Sequence, residues 1–164
     1  DPGPAQEHPF PSPITWKFSQ HTPFNAVYDN NKRSVYLMTQ RLKRHPFLAL
    51  FDGPDTNAST ADRLETTVPT QALYFLNDPF VHQKADAWAA RLESGITSES
   101  QQIDQAYRLA LCRSATSQEA KEATDFLNAY RTELASTGLD NVQHRAMAAF
   151  LRTLLGSNEF LHVD

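Results

Sequence analysis

The sequence predicts a mainly α fold. It reads as a compact multi-helix domain of four longer amphipathic helices plus one or two short ones. An extended N-terminal arm rich in proline and aromatics precedes it, and at most a small two-stranded β element accompanies it. Three observations carry this prediction. All ten prolines lie at or before Pro79, five of them in the first thirteen residues, so helix breakers are confined to the first half. Beyond Pro79, apolar residues recur at intervals of three and four, the spacing of one helix face. Those runs are also punctuated by capping residues in front and glycines behind.

The arm comes first. DPGPAQEHPFPSP has no initiating Met and favours an extended backbone, so residues 1–32 read as an arm or linker from an upstream domain, and residues 33–164 as the helical domain. Phe10, Trp16, Phe18, Phe24 and Tyr28 follow, and five large rings in an irregular segment need burial. The arm either packs them on the domain's own core or offers Trp16, Phe18 and Phe24 as an aromatic platform for a sugar or a partner. Residues 33–41, RSVYLMTQR, have the β-branched and aromatic content of a short strand, with a helix as the alternative. Pro46 opens a short helical turn that directs Phe47, Leu48, Leu50 and Phe51 at the core. Pro69 opens another, with Leu73, Phe75 and Leu76 as its buried contacts. Asn77 and Asp78 then stop that helix, and Asp78 caps the next at Pro79.

Four longer helices follow. Residues 79–93 bury Val81, Ala85, Trp88, Ala89 and Leu92 and stop at Gly95. Residues 99–111 begin with Ser98 and Gln101 at capping-box spacing and bury Ile103, Ala106, Tyr107 and Ala110. The third opens with the capping box Thr116/Glu119, buries Ala120, Ala123, Leu127, Tyr130 and Leu134, and closes at Gly138. The fourth starts at Asp140 with Gln143, buries Ala146, Met147, Phe150, Leu151 and Leu154, and ends at Gly156. The tail SNEFLHVD reads as a short strand.

Composition narrows the function classes. The chain has 164 residues, 40% hydrophobic and 21% charged, as a globular domain does. Its net charge of −4 argues against a nucleic-acid surface, and the short run Arg41, Lys43, Arg44, His45 reads as a solvated face. No apolar run approaches the length of a membrane span. The single cysteine, Cys112, excludes an internal disulfide and any cysteine-based zinc or haem attachment motif within the chain, and its place late in an apolar helix predicts a buried, inert thiol. The six histidines are scattered without metal-binding spacing, and none of Ser34, Ser59 and Ser157 lies in a nucleophile elbow.

The densest polar stretch is FDGPDTNAST. Asp52, Asp55, Asn57 and Ser59 place four oxygen-bearing side chains on a chain bent by Gly53 and Pro54. Helped by backbone carbonyls, they reach the six to eight oxygens that Ca²⁺ takes, but the spacing is not that of an EF-hand, and the closing glutamate is missing. Asp and Asn also tie turns together through nearby amides. Arg33, Arg41 and Arg63 bracket the loop, and an arginine forks onto a carboxylate with two parallel hydrogen bonds. The preferred reading is therefore a lock in which Asp52 or Asp55 pairs with an arginine, Arg63 first among them, with Gln71 satisfying further backbone groups. A weak cation site and a catalytic carboxylate are the alternatives.

The run from Arg33 to Leu92 resembles the C-terminal domain of unknown function DUF1553. The pieces that carry the resemblance are Arg33-Ser34-Val35-Tyr36, Phe51-Asp52-Gly53-Pro54-Asp55, Arg63, Pro69-Thr70-Gln71-Ala72-Leu73 and Leu76-Asn77, with AYRLALCRSATSQE and SNEFLHVD further on. One departure is Cys112, where the family often has glycine before the arginine. The resemblance implies a large exported protein of planctomycetes and related bacteria, periplasmic or at the cell surface. Its upstream part would hold a cytochrome c-type haem domain, and its setting would be the use of sulfated polysaccharides. It implies no catalytic residues. The expected function is a non-catalytic helical module serving packing, assembly or interaction, with the upstream domains of the same chain as partners, possible contact with polysaccharide, and no cofactor of its own. One wall of a composite enzyme site, glycan-active or haem-linked, is the alternative. A glycan-binding module is the second.

Overall fold

The computed structural model describes Tyr36, residues 45–51, Gly53 and residues 69–161. Among these the regular elements are seven α-helices, and no strand occurs. The chain divides into two compact units, Asp1–Val68 and Pro69–Asp164. The boundary expected at 32/33 lies outside the described residues. So does the strand expected over 33–41, apart from Tyr36, which occupies a 3₁₀ turn.

In the first unit, helix α1 is Pro46–Leu50. His45 caps it, its ring Nδ1 accepting from the Phe47 amide at 3.2 Å, and Pro46 fills the first turn as expected. Phe47, Leu48, Leu50 and Phe51 are half-buried, not core. The Phe47 and Phe51 rings sit 4.7 Å apart. The helix ends where the Gly53 amide donates to the Leu48 carbonyl at 2.6 Å. A Cβ at position 53 would lie only 2.6 Å from that same oxygen, so the close approach itself requires glycine.

The second unit holds the other six helices: α2 (Pro69–Asn77), α3 (Pro79–Gly95), α4 (Glu99–Leu111), α5 (Ser117–Ala135), α6 (Val142–Leu155) and α7 (Asn158–Leu161). Helix α6 is the hub. It packs most extensively on α3, then on α5, and also touches α2, α4 and α7. Its buried residues are Ala146, Met147, Ala148, Ala149, Phe150, Leu151 and Leu154, seven of the sixteen buried apolar residues described. Val81, Ala85, Ala89 and Leu92 of α3, Ile103, Ala106 and Tyr107 of α4, and Ala123 and Leu127 of α5 supply the rest, as their spacing predicts. Trp88, Ala110 and Tyr130 pack at the edge of this core.

Several expectations are corrected. On α2, Leu73 and Leu76 are exposed and Phe75 is half-buried; Gln71 is the buried residue. The helix turns its Gln71/Phe75 side inward, bringing the Phe75 Cβ beside Gly156 at the end of α6. Ser98 makes no side-chain cap, because its hydroxyl meets that of Ser100 at 3.0 Å; Gln102 donates instead to the Ile96 carbonyl at 2.6 Å. Helix α6 is capped at Asn141, not Asp140, and no side-chain cap forms there, since Asn141 takes a left-handed backbone, φ 59°. Gly95 does end α3 as expected, and Gly138, after α5, takes positive φ, 69°. The described part of the tail, through Leu161, is helical: the Ser157 hydroxyl accepts from the Phe160 amide and opens α7 where a strand was expected. The capping box at Thr116/Glu119 and the cap at Asp78 form as predicted.

Candidate functional site

The loop at 52–63 lies outside the described residues except for Gly53. Arg33, Arg41, Asp52, Asp55, Asn57, Ser59 and Arg63 therefore carry no structural statement, and neither do Trp16, Phe18 and Phe24. Of the predicted polar cluster only Gln71 is described, buried in the first turn of α2. Among the described residues, an arginine–carboxylate lock of this kind is found at the turn between α4 and α5.

That turn begins at Cys112, which caps α4 with a left-handed backbone, φ 56° and ψ 20°. The thiol is exposed, not buried as expected. The helix must reverse here, and reversal through the left-handed region turns the side chain away from the core. A side chain in that region is disfavoured by roughly 1–2 kcal/mol, while glycine adopts it freely at a greater cost in unfolded-chain entropy. Replacing Cys112 by Gly is thus expected to raise stability by about 0.5–1 kcal/mol, read as a shift of the denaturation midpoint at unchanged slope.

The next residue, Arg113, is the centre of the site. Its Nε and Nη2 donate to the two carboxylate oxygens of Glu159 on α7, both at 2.7 Å. Nη2 and Nη1 donate to the two oxygens of Glu119 on α5, at 2.7 and 2.9 Å. Nη1 also donates to the Ser114 carbonyl at 3.2 Å. All five N–H bonds of the guanidinium are thereby used. Its Cζ lies 5.6 Å from the centre of the buried Tyr107 ring, within cation–π range. Glu119 has further duties: its Oε2 accepts from the Thr116 amide at 2.7 Å and hydroxyl at 2.8 Å, closing the capping box. One arginine therefore holds together the end of α4, the start of α5 and α7.

The electrostatics follow from this geometry. The Arg113 hydrogen bonds, then the Thr116 amide, pull the Glu119 carboxyl down from 4.5 to about 2. Arg113 also lowers Glu159. Burial first, and then Glu119, push the Tyr107 hydroxyl up. Because the carboxylates are depressed in the folded chain, their pairing contributes fully above the ordinary carboxylate range and is lost as protons fill them. Urea midpoints are accordingly expected to hold through neutral pH and to fall steadily from about pH 4.5 to about 2. A Glu119→Gln variant would flatten that fall.

The other polar pairs are also between helices or along them. Arg131 at the end of α5 pairs with Glu99 at the start of α4 and donates to Asn128, while its Nε is buried without an acceptor. His144 on α6 meets Glu93 on α3 at 2.9 Å, and Arg108 pairs with Asp104 along α4 at 2.7 Å. His82 Nε2 lies 2.8 Å from the Leu76 carbonyl, and burial lowers the pKa of the capping His45. Among the described residues no group of three or more His, Cys, Asp or Glu side chains is placed to hold a metal ion, and no helix is long and apolar enough to cross a membrane.

Sequence reasoning found half of the Arg113 site, the Thr116/Glu119 box. It missed Arg113 and Glu159, which stand 46 residues apart with no periodic signal joining them. The second feature it missed is apolar. Leu73, Leu76 and Phe80, expected inside or left unplaced, are 53, 57 and 50% exposed across the α2–α3 junction. The Lys84 ammonium lies 5.0 Å over the Phe80 ring.

Comparison with known proteins gives one result. A family model described as "PSD1: Protein of unknown function (DUF1553)" matches residues 3–127. No curated protein and no solved structure matches the chain.

Proposed function

From the premise that this chain belongs to the DUF1553 family, we propose that its helical unit is a non-catalytic docking module within a larger exported protein. The observation that carries this reading is the half-exposure of Leu73, Leu76 and Phe80 within eight residues of one another. Large apolar side chains grouped on a surface mark contact with another protein surface. The described charged groups support the same reading: Arg113, Arg131, Arg108 and His144 are engaged by carboxylates of their own fold. The partner is the upstream part of the longer protein. Any haem c belongs to that part as well, because Cys112 is the one cysteine here and Ala115-Thr116 stand where a haem-attachment motif needs its second cysteine and its histidine.

A photo-reactive residue placed at Leu76 in the longer protein tests the proposal. Cross-links to a defined upstream segment, lost when Leu73 and Phe80 are both changed to Ser, are the expected outcome. Absence of any cross-link, or turnover of a sulfated polysaccharide by the isolated helical unit, would overturn it.

A further inference from the structure

We propose that the Nε/Nη2 edge of Arg113 is an exchangeable carboxylate seat, that Glu159 on α7 is its built-in occupant, and that an acidic side chain or C-terminal carboxylate of another protein takes the seat when α7 lifts. This goes beyond the docking role and does not depend on the apolar surface at the α2–α3 junction.

The two halves of the Arg113 site are unequal. Glu119 stands six residues from Arg113, accepts also from the Thr116 amide and hydroxyl, and has a side chain 27% exposed. Glu159 stands 46 residues away, has its hydrogen bonds among the described residues to Arg113 alone, and is 49% exposed. Helix α7 is four residues long, buries none of them, and leaves Phe160 exposed. The Glu159 half therefore opens first.

What remains after it opens is a prepared fork. Glu119, the Ser114 carbonyl and the Tyr107 face still fix the guanidinium plane. The two freed N–H bonds point in parallel, the arrangement that a carboxylate meets with both oxygens. The surrounding charges select among anions. With Glu159 gone, Arg113 is neutralised by Glu119, and Glu122 adds negative potential near Tyr107. A singly charged carboxylate replaces Glu159 like for like, whereas a phosphate dianion meets greater repulsion. The exchange needs no covalent step and no change of net charge.

The test uses the whole chain with Glu159→Ala, a substitution that keeps helix propensity, and acetate as the probe, against chloride and inorganic phosphate at equal ionic strength. The Phe160 and Leu161 amides, which donate to the Ser157 carbonyl, are expected to exchange about tenfold faster or more, the factor for losing a hydrogen-bonded charge. The Ala120 amide, bonded to the Thr116 carbonyl, is expected to keep its rate. Acetate alone should shift the Arg113 Nε–H resonance of the variant to saturation, and the unsubstituted chain, with Glu159 in the seat, should need a higher acetate concentration for the same shift. Three results would overturn the proposal: no acetate response in the variant, an equal response to phosphate, or loss of Ala120 protection together with α7, which would make the whole cluster one structural lock.

Discussion

Leu151→Ala is expected to destabilise the helical unit by about 2–5 kcal/mol, the range for emptying a fully enclosed leucine site. The side chain is completely buried on α6, in one cluster with Ala89, Leu92, Ile103, Leu127 and Phe150. The loss has two parts, the transfer of the removed methyl groups to water and the void they leave. Neighbouring alanines have no flexible side chain with which to fill that void, so the upper half of the range is favoured. Leu109→Ala on α4 is the internal control. That leucine is 47% exposed, and its removal should stay within about 0.5 kcal/mol. Denaturant titration of both variants at equal slope checks the pair; equal effects would contradict the assigned core.

A chain ending at Asp140 is expected to lose the cooperative unfolding of its helical unit. Without α6 and α7, Ala85, Ala89 and Leu92 of α3 and Ala123 and Leu127 of α5 lose the helix against which they are buried. Isolated helices of this length are marginal in water. Calorimetry should show no transition from the remaining helices of the second unit, and far-ultraviolet circular dichroism should show a large loss of helix. The same follows for a fragment cut to the family match, because residue 127 falls inside α5 and leaves the hub helix out. A sharp transition in either fragment would show that α6 is dispensable.

The helical half was legible because two local signals agreed there. The stripe Val81, Ala85, Ala89, Leu92 and the stripe Ala146, Met147, Phe150, Leu151, Leu154 each follow the helix repeat, and each lies inside the core. The box at Thr116, the cap at Asp78 and the first-turn proline Pro46 read correctly because helix starts depend on residues within one turn. Errors arose where a distant partner decides. Leu73 and Leu76 have the composition of a buried face, yet the placement of α2 on α3 and α6 turns Gln71 inward and leaves them out. Ser98 and Asp140 have capping spacing, but Gln102 and a left-handed Asn141 resolve those helix starts differently. Cys112 looked buried because the helix before it is apolar; its backbone conformation places it outside. The Arg113 site joins residues that no window of sequence spans. The polar loop at 52–63, which reads as a lock with a cation site or a catalytic carboxylate as alternatives, lies outside the described residues except for Gly53.

The position of α6 also sets the order in which the fold assembles. Contacts such as α2 with α3 or α5 with α6 join neighbours along the chain and close short loops. The most extensive contact, α3 with α6, joins segments separated by the whole of α4 and α5. Such a pairing is slow to search for and rewards the chain only once made. Refolding is therefore paced by the meeting of α3 with α6, and substitutions at Ala85 or Ala146 should slow the refolding rate more than those at Glu99 or Arg131, which tie α4 to a partner closer along the chain.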